Sequence, residues 1–199
     1  MEKFEGTSIL KEIAIGKIHY YSKEKQVVQR NRVDDTEAEL RRYEAAKEKA
    51  LRQLHELYEK ARKEAGEDSA AVFDVYAMIL EGDQFDASIR SAIESQNVNA
   101  EYAVAVAGDD LAKMFEAMDD EYFRARSADI RDLSKRLISI LQGDSVKSAP
   151  GVGAVILAAK DLTPSETVQM DKSRLLGFIT EFGSSNSHTA ILARTMNIP

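Results

Sequence analysis

Hydrophobic spacing divides the chain into a short strand-like segment, a long helical middle and a second segment that mixes strands with helices. From Ile9 to Tyr21, β-branched and aromatic residues alternate roughly, which is typical of a strand. After Gly143, short apolar runs at 152–159 and 175–180 predict two buried strands. Each run precedes a helical pattern, the first opening with "TPSETVQM" and the second extending from His188 to Met196.

The middle segment is predicted to form four amphipathic helices, because its apolar residues recur three and four positions apart. The first helix is expected to end at Gly66. The second begins at Ser69 and breaks at Gly82, where Asp83 is expected to cap a continuation. Asn99 is expected to cap the third helix, and Asp119-Asp120 separates it from the fourth. Short connections between such helices indicate a bundle or two antiparallel hairpins.

The order strand, helix, strand, helix after Gly143 is typical of an α/β layer. The N-terminal strand segment needs a sheet to join, and we expect it to join this layer. The sequence therefore predicts one α/β domain formed by residues 1–33 and 145–199, with an all-α domain inserted at 34–144.

Composition excludes several classes of protein. The 199 residues include no cysteine, so neither a disulfide framework nor a thiol nucleophile is available, and we expect a cytoplasmic protein. The N-terminal sequence lacks the pattern of a signal peptide, and no apolar run is long enough to predict membrane insertion. The net charge of −7 disfavours nucleic acid as a partner and favours a basic one.

His188 lies in a predicted strand-to-helix connection, the part of an α/β layer where ligands usually bind. The segment "EFGSSNS" follows a predicted strand, and Ser187 is a candidate N-cap that puts His188 in the first turn of a helix. Free backbone N–H groups and the helix dipole favour an anion there, as on a neutral imidazole that accepts a phosphoryl group. An ordinary exposed first-turn histidine fits the local sequence equally well.

A second strand-to-helix connection carries a capping box. In "DLTPSE", Thr163, Pro164 and Glu166 fit the N-cap, N1 and N3 positions. A threonine hydroxyl that accepts the helix N–H still has a proton to donate. If the two connections lie side by side, Thr163 can bond the imidazole of His188; otherwise it is a cap and nothing more.

The stretch "DLTPSETVQMDKSRLLGFITEFGSSNSHTAILARTMNIP" resembles the phosphohistidine region of Enzyme I of the bacterial phosphoenolpyruvate-dependent sugar phosphotransferase system. "DDEYFRARSADIRDLSKRLI" resembles the last helix of that family's helical subdomain, and "IAIGK" at 13–17 also matches. The resemblance implies an α/β phosphohistidine domain of the swivelling type with an inserted four-helix subdomain. It implies that Nε2 of His188 receives a phosphoryl group originating from phosphoenolpyruvate and passes it to the carrier protein HPr, with Thr163 as hydrogen-bond partner.

The chain departs from the family pattern at two places. Ser185 stands where the family usually has an arginine, and Leu10, Lys11 and Glu12 stand near the place of a Ser-Pro-Gly. The family also continues with a C-terminal barrel that binds phosphoenolpyruvate and magnesium. We therefore expect this chain to be a fragment that meets phosphoenolpyruvate only through that barrel, with no cofactor or metal of its own.

An acidic stretch without lysine or arginine runs from Glu64 to Ile89 and includes interleaved apolar residues. By itself such a stretch is most simply a solvated face. An apolar centre with an acidic rim suits a basic partner, and the resemblance implies that this region receives HPr. The predicted contacts are Glu67, Asp68, Tyr76, Met78, Ile79, Asp83 and Phe85.

Two other functions stay open at this point. The chain could be the phosphohistidine domain of a dikinase or a phosphoenolpyruvate synthase, whose motif also places a histidine before an apolar helix. Those enzymes carry a large nucleotide-binding region ahead of that motif, and this helical segment has no such features. Alternatively, the chain is a helical interaction module in which His188 is inert.

Overall fold

The computed structural model describes residues 5–21, 26–143, 154–183 and 188–199. These residues form two compact units. The first, here the α/β unit, comprises Met1–Glu24, Leu57–Val72 and Lys147–Pro199; the second, here the helical unit, comprises Lys25–Glu56 and Phe73–Val146. None of the helices in the described ranges is both long enough and apolar enough to cross a membrane.

The described chain is mostly helical with one small sheet. Its elements in order are β1 (Lys17–Tyr21), α1 (Thr36–Ala65), α2 (Glu67–Glu81), α3 (Asp83–Gln96), α4 (Ala100–Glu116), α5 (Glu121–Leu141), β2 (Val155–Ala159), α6 (Pro164–Gln169), a 3-10 turn (Lys172–Arg174), β3 (Leu175–Thr180) and α7 (His188–Thr195).

The sheet of the α/β unit is parallel, in the order β1-β2-β3. Both apolar runs after Gly143 are strands as predicted, and the second occupies residues 175–180. The predicted first strand is shorter than its pattern indicated, because only Lys17–Tyr21 pairs with β2.

The two faces of the sheet differ in burial. One face contributes Leu157 and Ala159 to a core completed by Leu162 and Met170, which flank α6. Tyr21, Leu175 and Phe178 pack against this core. The alternation of side chains along each strand places Ile18, Tyr20 and Ile179 on the opposite face, where all three are exposed. The sheet therefore buries the side that carries α6.

The predicted helix boundaries are largely correct, although α2 begins at Glu67 instead of Ser69 and the break at Gly82 differs from the prediction. Gly66 ends α1 with a φ of 84°, a left-handed conformation that suits glycine. The break at Gly82 is a full interruption, so the segment forms five helices instead of four. Gly82 itself, with an extended backbone, occupies the N-cap position, and Asp83 is the first residue of α3 instead of its cap.

Within the helical unit, Asn99 occupies the predicted N-cap position of α4 but makes no capping bond. Its Oδ1 accepts from the backbone N–H of Asn31 at 2.9 Å, and its Nδ2 donates to Glu101 at 2.9 Å. Glu101 is also paired with Arg42 of α1. The asparagine therefore joins the segment before α1 to the start of α4, which a local capping pattern could not predict.

Candidate functional site

The N-terminus of α6 has the predicted capping box. The backbone N–H of Glu166 donates to Thr163 Oγ1 at 3.3 Å, and the backbone N–H of Thr163 donates to Glu166 Oε2 at 2.8 Å. Pro164 occupies the first turn, where its missing N–H costs nothing. The Thr163 hydroxyl therefore acts as an acceptor toward its own helix, which leaves its hydrogen available for a second partner.

Glu166 also connects this cap to the sheet. The hydroxyl of Tyr21, at the end of β1, donates to Glu166 Oε1 at 3.2 Å. Burial of the ring, together with the charge and hydrogen bond of Glu166, raises the pKa of Tyr21 to about 12. The tyrosine therefore stays a neutral donor at physiological pH, and both carboxylate oxygens of Glu166 are held in place.

His188 is the first residue of α7, so the predicted position of the histidine in a first helical turn is confirmed. The residues that precede it, including the predicted N-cap Ser187 and the substituted position Ser185, lie outside the described residues. The next residue, Thr189, is buried, with 8% of its surface exposed. Its hydroxyl donates to the backbone carbonyl of Leu162 at 2.7 Å.

This bond brings the two strand-to-helix connections together. Leu162 directly precedes Thr163, and Thr189 directly follows His188. The connections are also paired at their beginnings, since Glu181 N donates to Ala159 O at 3.1 Å and Phe182 N donates to Lys160 O at 2.9 Å. The side-by-side arrangement that the sequence analysis required for Thr163 and His188 is thus present in the backbone.

Thr189 is not among the site residues predicted from the sequence. A hydroxyl residue immediately after the histidine is visible in the sequence, but its partner lies 27 residues earlier and no local pattern connects them. Of the two other histidines, His19 lies within β1 and His55 lies on the exposed side of α1. Among the described residues, no group of three or more histidines and carboxylates is arranged to hold a metal ion.

The predicted partner contacts divide between the two units. Glu67 and Asp68 are exposed in the first turn of α2, within the α/β unit, and Glu67 accepts a hydrogen bond from the hydroxyl of Tyr58. In the helical unit, Met78 is 62% exposed, Asp83 is exposed and Ile79 is half-buried. These five residues are accessible to a partner, and their role in docking stays a prediction.

Two predicted contacts are wrong. Tyr76 and Phe85 are 0% and 2% exposed and belong to the core of the helical unit. Tyr76 is held there by a hydrogen bond of 3.2 Å to Asp129 Oδ1. Burial, followed by the nearby charges of Asp132 and Asp129, raises the pKa of Tyr76 well above its ordinary value. Neither ring is available to a docking protein.

The structure adds an aromatic cluster to the accessible surface of the helical unit. Tyr122 and Phe123 at the start of α5 are 58% and 43% exposed, and Phe115 at the end of α4 meets Phe123 edge to face at 6.0 Å between centroids. Met114 is 39% exposed, and its Sδ lies 3.8 Å from the Nε2 of Gln84, which belongs to the first turn of α3. The signal in the sequence is the aromatic pair Tyr122 and Phe123, which is separated from the Asp119-Asp120 break only by Glu121.

Two family models match the chain. The model of the N-terminal region of PEP-utilising enzymes matches residues 5–126, and that of the mobile domain of PEP-utilising enzymes matches residues 152–199. The two matches together cover segments of both units.

Curated relatives are longer than this chain. Phosphoenolpyruvate-protein phosphotransferases of Priestia megaterium and Listeria monocytogenes are 38% and 36% identical to it over 199 residues. The enzyme of the same name from Bacillus subtilis is 34% identical over 200 residues. Each match covers 100% of this chain, which spans 35% of the length of each of these relatives.

Two solved structures are similar to this chain over most of its length. A solution structure of an Enzyme I protein, nEIt, is 34% identical with a TM-score of 0.76, and the match covers 94% of this chain and 76% of that one. A second structure, described as the N-terminal domain of "Enzyme 1 - Nitrogen", is 24% identical with a TM-score of 0.68. This match covers 92% of this chain and 76% of that one. At this identity the second similarity shows the fold alone.

Proposed function

Because this chain belongs to the PEP-utilising enzymes, and among them to Enzyme I, we propose that it is the phosphoryl-accepting part of a phosphoenolpyruvate-protein phosphotransferase. In this proposal His188 accepts a phosphoryl group that originates from phosphoenolpyruvate and passes it to the carrier protein HPr. The observation that carries the proposal is the bond between Thr189 and Leu162, which holds the start of α7 beside the Thr163 cap.

The exchange with HPr is a displacement at phosphorus. Nε2 of His188 attacks with its lone pair, an N–P bond forms at His188, and the N–P bond of the phosphorylated carrier breaks. The leaving imidazole keeps the electron pair of that bond. The acceptor must be neutral to attack, and the positive end of α7 disfavours an imidazolium while favouring the phosphorylated product.

Thr163 is proposed as the partner that orients the acceptor. Its oxygen accepts the N–H of Glu166, and its hydrogen can be donated to another partner. A hydrogen bond from this hydroxyl to a nitrogen of His188 would fix the orientation of the ring and the tautomer that attacks. Glu166 supports the arrangement through its bonds to Thr163 N and Tyr21.

The proposal also includes the domain type, the cell compartment and the place where phosphoenolpyruvate and magnesium bind. We assign the α/β unit to the swivelling type of phosphohistidine domain, and we place the reaction in the cytoplasm. The relatives extend well beyond the part they share with this chain, which spans 35% of their length. Binding of phosphoenolpyruvate and of magnesium is assigned to the remaining part of such a protein and to none of the residues described here.

For HPr docking we propose the accessible acidic and apolar residues. In the α/β unit the proposed contacts are the exposed acidic residues Glu67 and Asp68. In the helical unit, taken by itself, they are the acidic Asp83 and the apolar Met78 and Ile79. Met114 and the aromatic residues Phe115, Tyr122 and Phe123 provide further apolar area in the helical unit. An apolar patch with acidic surroundings fits a basic carrier.

The proposal is tested with radiolabelled phospho-HPr as the donor. The parent chain is expected to become labelled, and His188→Ala is expected to remain unlabelled. His19→Ala and His55→Ala are matched controls, since each removes a histidine from a folded element of the same chain. Label that survives in His188→Ala would reject the assignment, and an unlabelled parent chain would favour the interaction module with an inert histidine.

A further inference from the structure

The hydroxyl of Thr189 is bonded differently from those of the other helical threonines whose hydrogen bonds are described. Thr167 and Thr195 donate to the carbonyls of Thr163 and Ile191, four residues earlier, at 2.9 Å in both cases. This is the ordinary local bond of a helical threonine. Thr189 instead donates across to Leu162, which belongs to the other strand-to-helix connection. Its hydroxyl therefore acts between elements, whereas the other two act within one.

The acceptor side of this bond is rigid. Leu162 is 3% exposed, and its backbone N–H is bonded to Asp161 Oδ1 at 2.9 Å. The following residue, Thr163, is fixed by the capping box and accepts the backbone N–H of Thr167 at 3.0 Å. The carbonyl that receives the Thr189 hydroxyl is thus a fixed point in the same short segment that holds Thr163.

The donor side is rigid as well. Thr189 and Ala190 are 8% and 5% exposed, and Leu192 and Ala193 behind them are 1% and 2% exposed. The first turn of α7 is therefore packed on its inner side, and the hydroxyl of Thr189 is its described polar anchor to the neighbouring connection. Because consecutive Cα atoms are only about 3.8 Å apart, a shift at Thr189 is transmitted directly to His188.

We propose that Thr189 is a positioning residue for phosphoryl transfer, and that its hydroxyl sets the distance between His188 and Thr163. This inference rests on the proposed function of His188, which it deepens. Thr189 does not touch the phosphoryl group; it fixes the backbone from which the reacting imidazole projects. Without the hydroxyl, α7 keeps its apolar packing, but the buried carbonyl of Leu162 loses its hydrogen-bond donor. The two connections then move apart at this point, so that water can reach the carbonyl.

Thr189→Val is the informative variant, because valine keeps the branched shape and removes the donor. Thr189→Ser is the conservative rescue, since it keeps the hydroxyl. Thr195→Val is the matched control on the same helix, where the lost hydroxyl is exposed and bonds only within α7. Thr189→Ala is a second variant without the hydroxyl, in case the valine chain does not fold.

Two measurements on the full chain separate positioning from stability. In single-turnover transfer from saturating phospho-HPr, we expect Thr189→Val to be slower by about tenfold, which corresponds to about 1.4 kcal/mol of activation free energy. Thr189→Ser and Thr195→Val should stay within about twofold of the parent chain, and HPr affinity should be the same in all four chains. In ¹⁵N spectra of the imidazole, the tautomer ratio of His188 should move toward that of free histidine only in the valine and alanine variants.

The outcomes are distinguishable. A folded Thr189→Val chain with the parent transfer rate and the parent ¹⁵N spectrum overturns the positioning role, as does an equal loss in Thr189→Ser. Unfolding of both Thr189→Val and Thr189→Ala overturns it too, because the hydroxyl would then be structural. If the parent chain accepts no phosphate, the proposed function fails, while the tautomer shift still decides whether Thr189 positions His188.

Discussion

The hydroxyl of Tyr21, in the first strand, donates to Glu166 Oε1 at 3.2 Å, although 145 positions of sequence separate the two residues. β1 pairs with β2 in the parallel sheet, although the five helices from α1 to α5 lie between these two strands in the sequence. The N-terminal strand thus supports the capping box of Thr163 directly. The candidate site is assembled from both ends of the sequence.

Replacing Thr163 tests the partner that we assign to the acceptor. Thr163→Val should slow phosphoryl transfer several-fold, since a hydrogen bond contributes roughly 0.5–1.5 kcal/mol. The same change removes an N-cap and should lower the free energy of unfolding by about 1 kcal/mol. Thr163→Ser preserves both roles and serves as the control. Equal transfer rates in the parent, valine and serine chains would remove Thr163 from the site.

Charge reversal tests the acidic contacts proposed in the α/β unit. Binding of HPr should weaken as the salt concentration rises, because exposed charges act through screened attraction. The double variant Glu67→Lys and Asp68→Lys should weaken binding further and reduce its dependence on salt. The exposed pair Glu37→Lys and Glu56→Lys on α1 makes the same change in net charge as a control. Calorimetric titration at two salt concentrations measures both effects; similar losses in the two double variants would mean that net charge alone matters.

A pair of apolar truncations separates surface from core on consecutive helices. Met78 is 62% exposed on α2, whereas Phe85 is 2% exposed on α3. Met78→Ala should weaken HPr binding and leave the unfolding transition almost unchanged. Phe85→Ala should cost about 3–5 kcal/mol of unfolding free energy, because it leaves a cavity in the helical unit. Denaturant unfolding provides the stability measurement. An unchanged free energy of unfolding in Phe85→Ala would contradict the place of Phe85 in the core.

The carboxylate of Asp86 predicts a pH dependence of stability. Burial by itself would raise the pKa of Asp86, but hydrogen bonds from Lys47, Arg90 and Tyr43 together lower it below its ordinary value. The contacts are short, at 2.7 Å from Lys47 Nζ and 2.6 Å from Arg90 Nε. A depressed folded pKa contributes stability above the unfolded value of about 3.9, and this contribution is lost as the pH falls through the folded pKa.

Asp86→Asn should therefore be less stable than the parent chain at neutral pH, and the difference should shrink as the pH falls below about 4. The comparison uses the melting temperatures of the two chains at a series of pH values from about 2 to about 7. This series spans the titration of a carboxylate on both sides. A constant offset between the two chains over the whole pH range would show that the ion pairs of Asp86 contribute nothing measurable.

Local patterns predicted the parts of this structure that depend on local physics. The capping box of Thr163 and Glu166, the left-handed glycine at the end of α1 and the bounds of β3 each follow from a few adjacent residues. The position of His188 at the start of α7 was predictable for the same reason.

The parts that were wrong or overlooked depend on contacts between distant elements. Phe73, Tyr76 and Leu80 share one buried side of α2 at three- and four-residue spacing, while Met78 lies on the other side. The sequence shows this spacing but cannot show how many sides of α2 and α3 the other helices cover. The bond from Thr189 to Leu162 is likewise invisible before the two connections are placed side by side.

The most direct test of the central claim is to locate the phosphate that the parent chain receives. The chain is incubated with phospho-HPr, and the modified residue is mapped by mass spectrometry under alkaline conditions, since the N–P bond of phosphohistidine is labile in acid. We predict a single phosphorylated residue, His188, and none at His19 or His55. Phosphate at either of those histidines, or a parent chain that acquires none, would contradict the account.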